Sequence, residues 1–374
     1  MTQALINPAL MSWSRQRAGV SAAELAHSIT VKEDKVLAWE AGEAKPTFRQ
    51  AQQWAERLHI PFGFLFLKEP PQERLPLPDL RTLGSVAPQA PSLDLLDTVR
   101  DVLRKQEWYQ DYLSEQERQP LPFVGRFPVD APVAEVVADI RAVLGVGEAQ
   151  QGEDYLRTLV AAADAAGILV MRSGIVGSNT HRKLDVGEFR GFAISDPYAP
   201  VVFINIADAP AARLFTLLHE LAHIWIGSSG ISSVTPSSHR REEVYCNAVA
   251  GEFLVPEVRF NALWRETEDW QAQLPRLAGV FHVSRLVVAR RACDLGFISR
   301  EAYGAFYVAE LNLYRAQKSS GGSFYRTAEG KNSKRFSRAV LSEALSGRLL
   351  LRDAGKLLGV QPAKVRTYAE KIDE

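Results

Sequence analysis

Apolar and polar positions follow the 3.6-residue rhythm of helices along most of the chain, and strand-like spacing in only three short windows. Near the N-terminus the helical rhythm covers residues 10–18, 22–28, 31–41 and 48–58, broken by Gly19-Val20-Ser21 and by a turn from Gly42 to Thr47. Ser21 stands where an N-cap is needed. Two short helices joined by a tight turn form the helix-turn-helix layout, whose second helix can enter a major groove. Residues 69–92 hold six prolines and little periodicity, so they read as a linker or extended strap. Helical spacing resumes over 93–118 through Leu95, Leu96, Val99, Leu103, Trp108 and Tyr112, and 119–132 is a second proline-punctuated loop.

Helices are then predicted over 133–144 and 154–166, strands over 168–171, 189–194 and 201–206, and a further helix from Ala211. Residues 190–195 suit either an edge strand that accepts an extended peptide or a plain core strand. Residues 274–291 repeat the helix-turn-helix rhythm, with Ser284 as cap and Arg285, Arg290 and Arg291 on the second helix. A packing role is favoured there over DNA contact. Ser319 to Ser323 reads as a flexible break, followed by helices over 333–346, 349–358 and 363–372, with a helix-turn-helix cadence at 351–360. The expected fold class is mainly α with a small β-sheet, α+β. The expected order is a helix-turn-helix domain at 1–68, a proline-rich linker and helix at 69–132, a zincin-like domain with a helical subdomain at 133–310, and a basic helical region at 311–374.

Composition narrows the class. Of 374 residues, 46% are hydrophobic and 24% charged, the balance of an ordinary soluble protein. No apolar run approaches the roughly 20 residues that span a bilayer, and the N-terminus lacks a charged stretch leading into an apolar one, so a membrane partner is not expected and the cytoplasm is. Two cysteines make no disulfide framework. The formal net charge is zero, yet residues 318–371 hold twelve Lys or Arg against four Asp or Glu, a balance of +8. Such a segment suits an acidic partner, nucleic acid above all, or is a solvated basic face.

The chemistry lies in His219-Glu220-Leu221-Ala222-His223. Histidines four apart on a helix share a face, so both imidazoles can reach one metal ion at about 2.0 to 2.1 Å. Glu220 beside them can accept a proton from a metal-bound water, whose pKa falls to roughly 7. The apolar set Leu214, Leu217, Leu218, Leu221, Ala222 and Trp225 buries this helix, and Gly227 is a natural stop. A hydrolytic site needs one more protein ligand. Glu243 is favoured because Asn247, one turn on, can hold a ligand histidine in place, with Glu242 and His239 as rivals. Cys246 reads as a buried apolar thiol. His239, Tyr245 and Arg190 are open candidates for steadying a tetrahedral oxyanion. The donor set favours zinc, although two imidazoles and a carboxylate also suit iron.

Two resemblances follow from these residues. Ser21-Ala22-Ala23-Glu24-Leu25-Ala26, Trp39-Glu40-Ala41-Gly42 and Pro46-Thr47-Phe48 resemble the Xre-type helix-turn-helix. The helix opening Lys32-Glu33-Asp34-Lys35 sets two carboxylates against phosphates, so a protein-docking or dimerising module stays open beside DNA binding. His219 to His223, Glu243 with Cys246-Asn247-Ala248-Val249-Ala250, and Glu252-Phe253-Leu254-Val255-Pro256 resemble the ImmA/IrrE metallopeptidases over residues 133–307. That resemblance implies a zinc endopeptidase that cuts an Xre-type repressor or antitoxin and so derepresses stress, mobile-element or toxin genes. It implies His219, His223 and Glu243 as metal ligands and Glu220 as catalytic base. A reading from another class is a DNA-binding regulator, acting through residues 1–68 or 318–371, whose peptidase fold only senses or docks a partner.

Overall fold

The computed structural model describes residues 3–71, 77, 91–147, 155–232, 241–266, 269–316 and 330–372. The break expected at Ser319 to Ser323, together with His239, Arg240, Asp154 and Lys318, lies outside the described residues. The chain divides into two compact units, Met1–Arg74 and Leu75–Glu374.

The first unit holds α1 (Pro8–Arg17), α2 (Ala22–Ser28), α3 (Glu33–Glu40), α4 (Phe48–Arg57) and a 3-10 turn at Phe62–Phe66. Ser21 and Glu24 form a capping box at α2, and Thr47 and Gln50 form another at α4, so orphan N–H groups are satisfied where each helix starts. Leu10, Leu25, Val36, Trp39, Trp54 and Leu65 make a separate core. Arg15 bridges α1 to α3 through a two-pronged pair with Glu40 at 2.7 and 2.8 Å. The α2–turn–α3 layout is the expected one, and Lys32, Glu33, Asp34 and Lys35 all face solvent.

The second unit begins with α5 (Leu93–Glu115), α6 (Val133–Leu144) and α7 (Tyr155–Ala166), then β1 (Leu169–Ser173), β2 (Gly191–Ile194) and β3 (Val201–Asn205). After these come α8 (Pro210–Trp225), β4 (Gly230–Ser232), α9 (Arg241–Leu254), α10 (Glu257–Leu263), α11 (Trp270–Phe281), α12 (Arg285–Asp294) and α13 (Arg300–Ala316). Farther along are α14 (Lys334–Leu345), α15 (Leu351–Leu358) and α16 (Val365–Lys371). The sheet runs β1-β3-β2-β4, with β1 parallel to β3 and the other pairings antiparallel. The fold is α+β, as expected.

Alternation along the strands decides which layer covers each face. Val170, Ala193, Val202 and Ile204 join a core with Leu217, Leu218 and Leu221 of α8 and Val249 and Phe253 of α9. Leu169, Met171, Phe192, Ile194, Val201 and Phe203 point the other way, into a second core with α5 and with Phe336, Val340, Leu358, Val365 and Tyr368. The helices of the proline-rich stretch and of the basic tail, set apart in the sequence reading, therefore share a core with the sheet. Lys105 of α5 reinforces this by donating to Asn332 Oδ1 at 2.9 Å and pairing with Asp101 at 2.8 Å.

Residues 190–195 do not form the edge strand that their sequence allowed, because β2 pairs with β3 on one side and β4 on the other; among the described residues β1 and β4 are the edges. Two of the three arginines of α12 serve packing, as favoured: Arg290 pairs with Asp294 at 2.9 Å and lies over the Phe215 ring, and Arg291 is bound by Glu252, while Arg285 is exposed and pairs with Glu310 at 2.8 Å. Arg290 and Arg291 are both buried.

Candidate metal centre

The helix carrying the paired histidines is held at its C-terminal end by a loop that looked like a mere connection. Gly125 N–H donates to Ile224 O at 3.0 Å and Phe127 N–H to Trp225 O at 3.1 Å, which satisfies carbonyls that a helix end leaves orphaned. Gly227 stops α8 with φ of +72°, and a Cβ there would meet Gly125 Cα at 3.1 Å, so glycine is required on both conformational and steric grounds. Trp225 stacks on Phe123 at 4.6 Å between ring centroids and donates through Nε1 to Asp139 Oδ2 at 2.7 Å. These contacts anchor α8 to the loop and to α6.

Packing of α8 on α9 brings His219, His223 and Glu243 together. His219 Nε2 lies 3.1 Å from His223 Nε2, His223 Nε2 lies 3.0 Å from Glu243 Oε1, and His219 Nε2 lies 3.5 Å from Glu243 Oε2. All three residues have 0% exposure. Two imidazole nitrogens facing each other beside a carboxylate present converging lone pairs, the arrangement a divalent cation satisfies. The donor chemistry therefore fits a metal. Burial lowers the His219 pKa, against the raising influence of Glu243. Burial alone would raise the Glu243 carboxyl, but His219 and His223 outweigh it and hold that group well below the usual carboxylate range.

Glu220 is also fully buried, and neither carboxylate oxygen has a hydrogen-bond partner among the described residues. Burial, followed by repulsion from Glu243, pushes its pKa well above the ordinary value, with the nearby Ser232 hydroxyl opposing the shift. Gly191 of β2 makes room for this carboxylate. A Cβ there would lie 2.8 Å from Glu220 Oε1, from Phe203 O and from Thr216 Cγ2.

Other expected residues fall as follows. Glu242 is half-buried and outside the converging group. Cys246 has 0% exposure, and burial drives its thiol pKa well up, in keeping with an inert apolar cysteine. Asn247 is buried one turn beyond Glu243, but its Oδ1 has no partner among the described residues, as is true of both histidine Nδ1 atoms. The expected hold of Asn247 on a histidine is not made. Tyr245 donates its hydroxyl to Ala131 O at 2.8 Å, and burial pushes its pKa up to about 12. Arg190 lies 3.7 Å from Asp208 and over the Tyr307 ring at 4.3 Å.

The sequence reading missed Gly191 and Ser232. Each sits on a short strand whose partner lies far off in sequence, so no local spacing marks it. Ser232 donates to Glu243 Oε1 at 3.3 Å and stands 3.5 Å from His223 Nε2.

Comparison with known families gives matches in two regions of the chain. Residues 163–292 match the model of the M78 peptidases, described as an IrrE N-terminal-like domain. The match runs from within α7 into α12, includes all the site residues above, and supports a metallopeptidase of the IrrE/ImmA type. Residues 332–371 match a domain of unknown function, DUF8813. A search of curated proteins gave no match. No helix among the described residues is long and apolar enough to cross a membrane.

Proposed function

We propose that this chain is a zinc-dependent endopeptidase that cuts a protein partner, an Xre-type repressor or antitoxin, in the cytoplasm. The observation that carries the reading is the convergence of His219, His223 and Glu243 beside a fully buried Glu220. In this reading the first three side chains hold the ion. When bound, such an ion supplies Lewis acidity toward a carbonyl and makes water acidic enough to be deprotonated near neutrality.

Glu220 is the base. Its raised pKa suits a group that takes a proton from the attacking water and returns it to the leaving amine nitrogen. Gly191 supports this role by leaving Glu220 the space it needs. Strand β4, which among the described residues is the edge of the sheet beside the site, rather than the inner strand β2, is the one to which an extended substrate can add, with main-chain hydrogen bonds supplying affinity and register. The oxyanion donor stays open among His239, Tyr245 and Arg190, although Tyr245 and Arg190 are engaged elsewhere here.

The test uses purified full-length protein incubated with the repressor encoded beside it, with and without chelator. Glu220→Gln is expected to keep its metal and lose cleavage, whereas His219→Ala loses both. Full cleavage by the glutamine variant contradicts the base assignment.

A second reading, DNA or another polyanion as partner, is supported by one observation. A cavity of about 1340 Å³ opens between α5, α7 and α14, with Arg118, Arg157, Arg335, Arg338 and Lys371 around Asp164. The two readings are compatible, since a protease tethered near a DNA-bound substrate gains in effective concentration.

A further inference from the structure

Ser232 lies on β4 and has 0% exposure. Its register is fixed against Gly191 of β2, and Arg190 N–H donates to its carbonyl at 3.3 Å, so the sheet carries its hydroxyl over the α8–α9 contact. That hydroxyl reaches Glu243 Oε1 at 3.3 Å and His223 Nε2 at 3.5 Å. His223 Nε2 stands 3.1 Å from His219 Nε2 and 3.0 Å from Glu243 Oε1, and His219 Nε2 stands 3.5 Å from the other carboxylate oxygen, Glu243 Oε2. Around a tetrahedral ion with bonds of about 2.05 Å, neighbouring donors stand about 3.3 Å apart. The serine oxygen thus stands about one such spacing from two of the donors, His223 Nε2 and Glu243 Oε1.

We infer that Ser232 Oγ is the fourth donor of a shut resting site, an inference that rests on His219, His223 and Glu243 holding a divalent ion. A hydrolytic centre keeps its fourth position for solvent, whereas here a protein hydroxyl stands in that direction and His219, Glu220, His223 and Glu243 all have 0% exposure. The serine stays neutral, its proton directed at Glu243 and a lone pair left for the ion. A neutral alcohol is a weak ligand beside imidazole and carboxylate, so solvent or a substrate carbonyl can take its place. The movement required is small in extent. Among the described residues β4 spans Gly230–Ser232 and pairs with β2 alone, so withdrawing that stretch breaks few backbone hydrogen bonds. An added substrate strand on β4 would therefore act on the same element that shuts the site, linking substrate binding to opening.

The experiment uses full-length protein loaded with cobalt(II) in place of zinc. Ser232→Cys is expected to show a near-ultraviolet thiolate-to-cobalt charge-transfer band that the wild type, with its own Cys246 and Cys293, does not. Ser232→Ala serves if the cysteine variant folds poorly. If the shut form holds about nine molecules in ten, its removal tightens acetohydroxamate binding about tenfold, read by titrating the visible cobalt spectrum. One cobalt per chain in Ser232→Cys without the band overturns the inference and leaves the ion site standing, and so does an unchanged hydroxamate affinity in Ser232→Ala. A wild type that takes up no cobalt, or a His219→Ala variant that retains it, overturns the ion site and this inference with it.

Discussion

At the scale of single residues, space around Glu220 matters as much as the carboxylate itself. Gly191→Ala places a methyl 2.8 Å from Glu220 Oε1 and equally close to the Phe203 carbonyl, which cannot swing away as a side chain can. Overpacking of this kind costs about 1–3 kcal/mol, so a lower melting temperature and loss of cleavage are expected. A Gly191→Ala enzyme that cuts its partner like the wild type would remove Gly191 from the account. The pair Glu243 and Glu242 gives a second test. Replacing Glu243 with Ala should cost metal affinity by orders of magnitude, while Glu242→Ala, outside the converging group, should leave metal content unchanged in elemental analysis. The reverse pattern would exchange their roles. His219, Glu220 and His223 were legible in the sequence because helical periodicity fixes which residues share a face over one turn. Glu243 was legible through a second helix read the same way. Ser232 and Gly191 were not, since cross-strand register depends on pairing partners that no local pattern encodes.

At the scale of elements, α5, α8 and three of the four described strands were readable, and α13 and β4 were not. The described part of β4, Gly230-Ile231-Ser232, shows no alternation in sequence, and missing it left β2 as a possible edge. The loop at 119–132 was likewise undervalued, because its work is done by backbone N–H groups that any residue other than proline supplies. Gly227→Ala tests that work. It forces a side chain into a left-handed conformation and against Gly125, and is expected to cost more than about 1 kcal/mol. Thermal unfolding of the metal-loaded variant should show this as a drop of a few degrees together with weaker metal retention. An unchanged transition would mean that the end of α8 tolerates another stop. The buried arginines of α12 carry a related lesson: a basic helix read from sequence as a possible DNA contact is here a brace for α8 and α9.

At the scale of the whole chain, the asymmetry in charge was visible in the sequence, and its structural setting was not. The apolar positions of α14 to α16 cover the second face of the sheet, so their basic residues are what remains outside a shared core. Truncation after residue 318 would strip Phe336, Val340, Leu358, Val365 and Tyr368 from that face. A protein cut there is expected to lose its cooperative melt, whereas Met1–Arg74, with a core of its own, is expected to fold alone. Nucleic-acid binding is therefore better tested by neutralising surface cations. Arg157→Gln with Arg338→Gln should flatten the log–log salt dependence of binding by about 0.9 for each phosphate that the variant no longer neutralises. No affinity of the intact protein for DNA at low salt would sink that reading and leave the peptidase reading untouched.

The central claim is that His219, His223 and Glu243 hold one divalent ion between α8 and α9. Metal content of the full-length protein, measured by elemental analysis after dialysis against zinc-free buffer, tests it most directly. One zinc per chain is expected in the wild type and in Glu220→Gln, and none in His219→Ala, His223→Ala or Glu243→Ala. A metal-free wild type, or full occupancy in the Glu243→Ala variant, would contradict it.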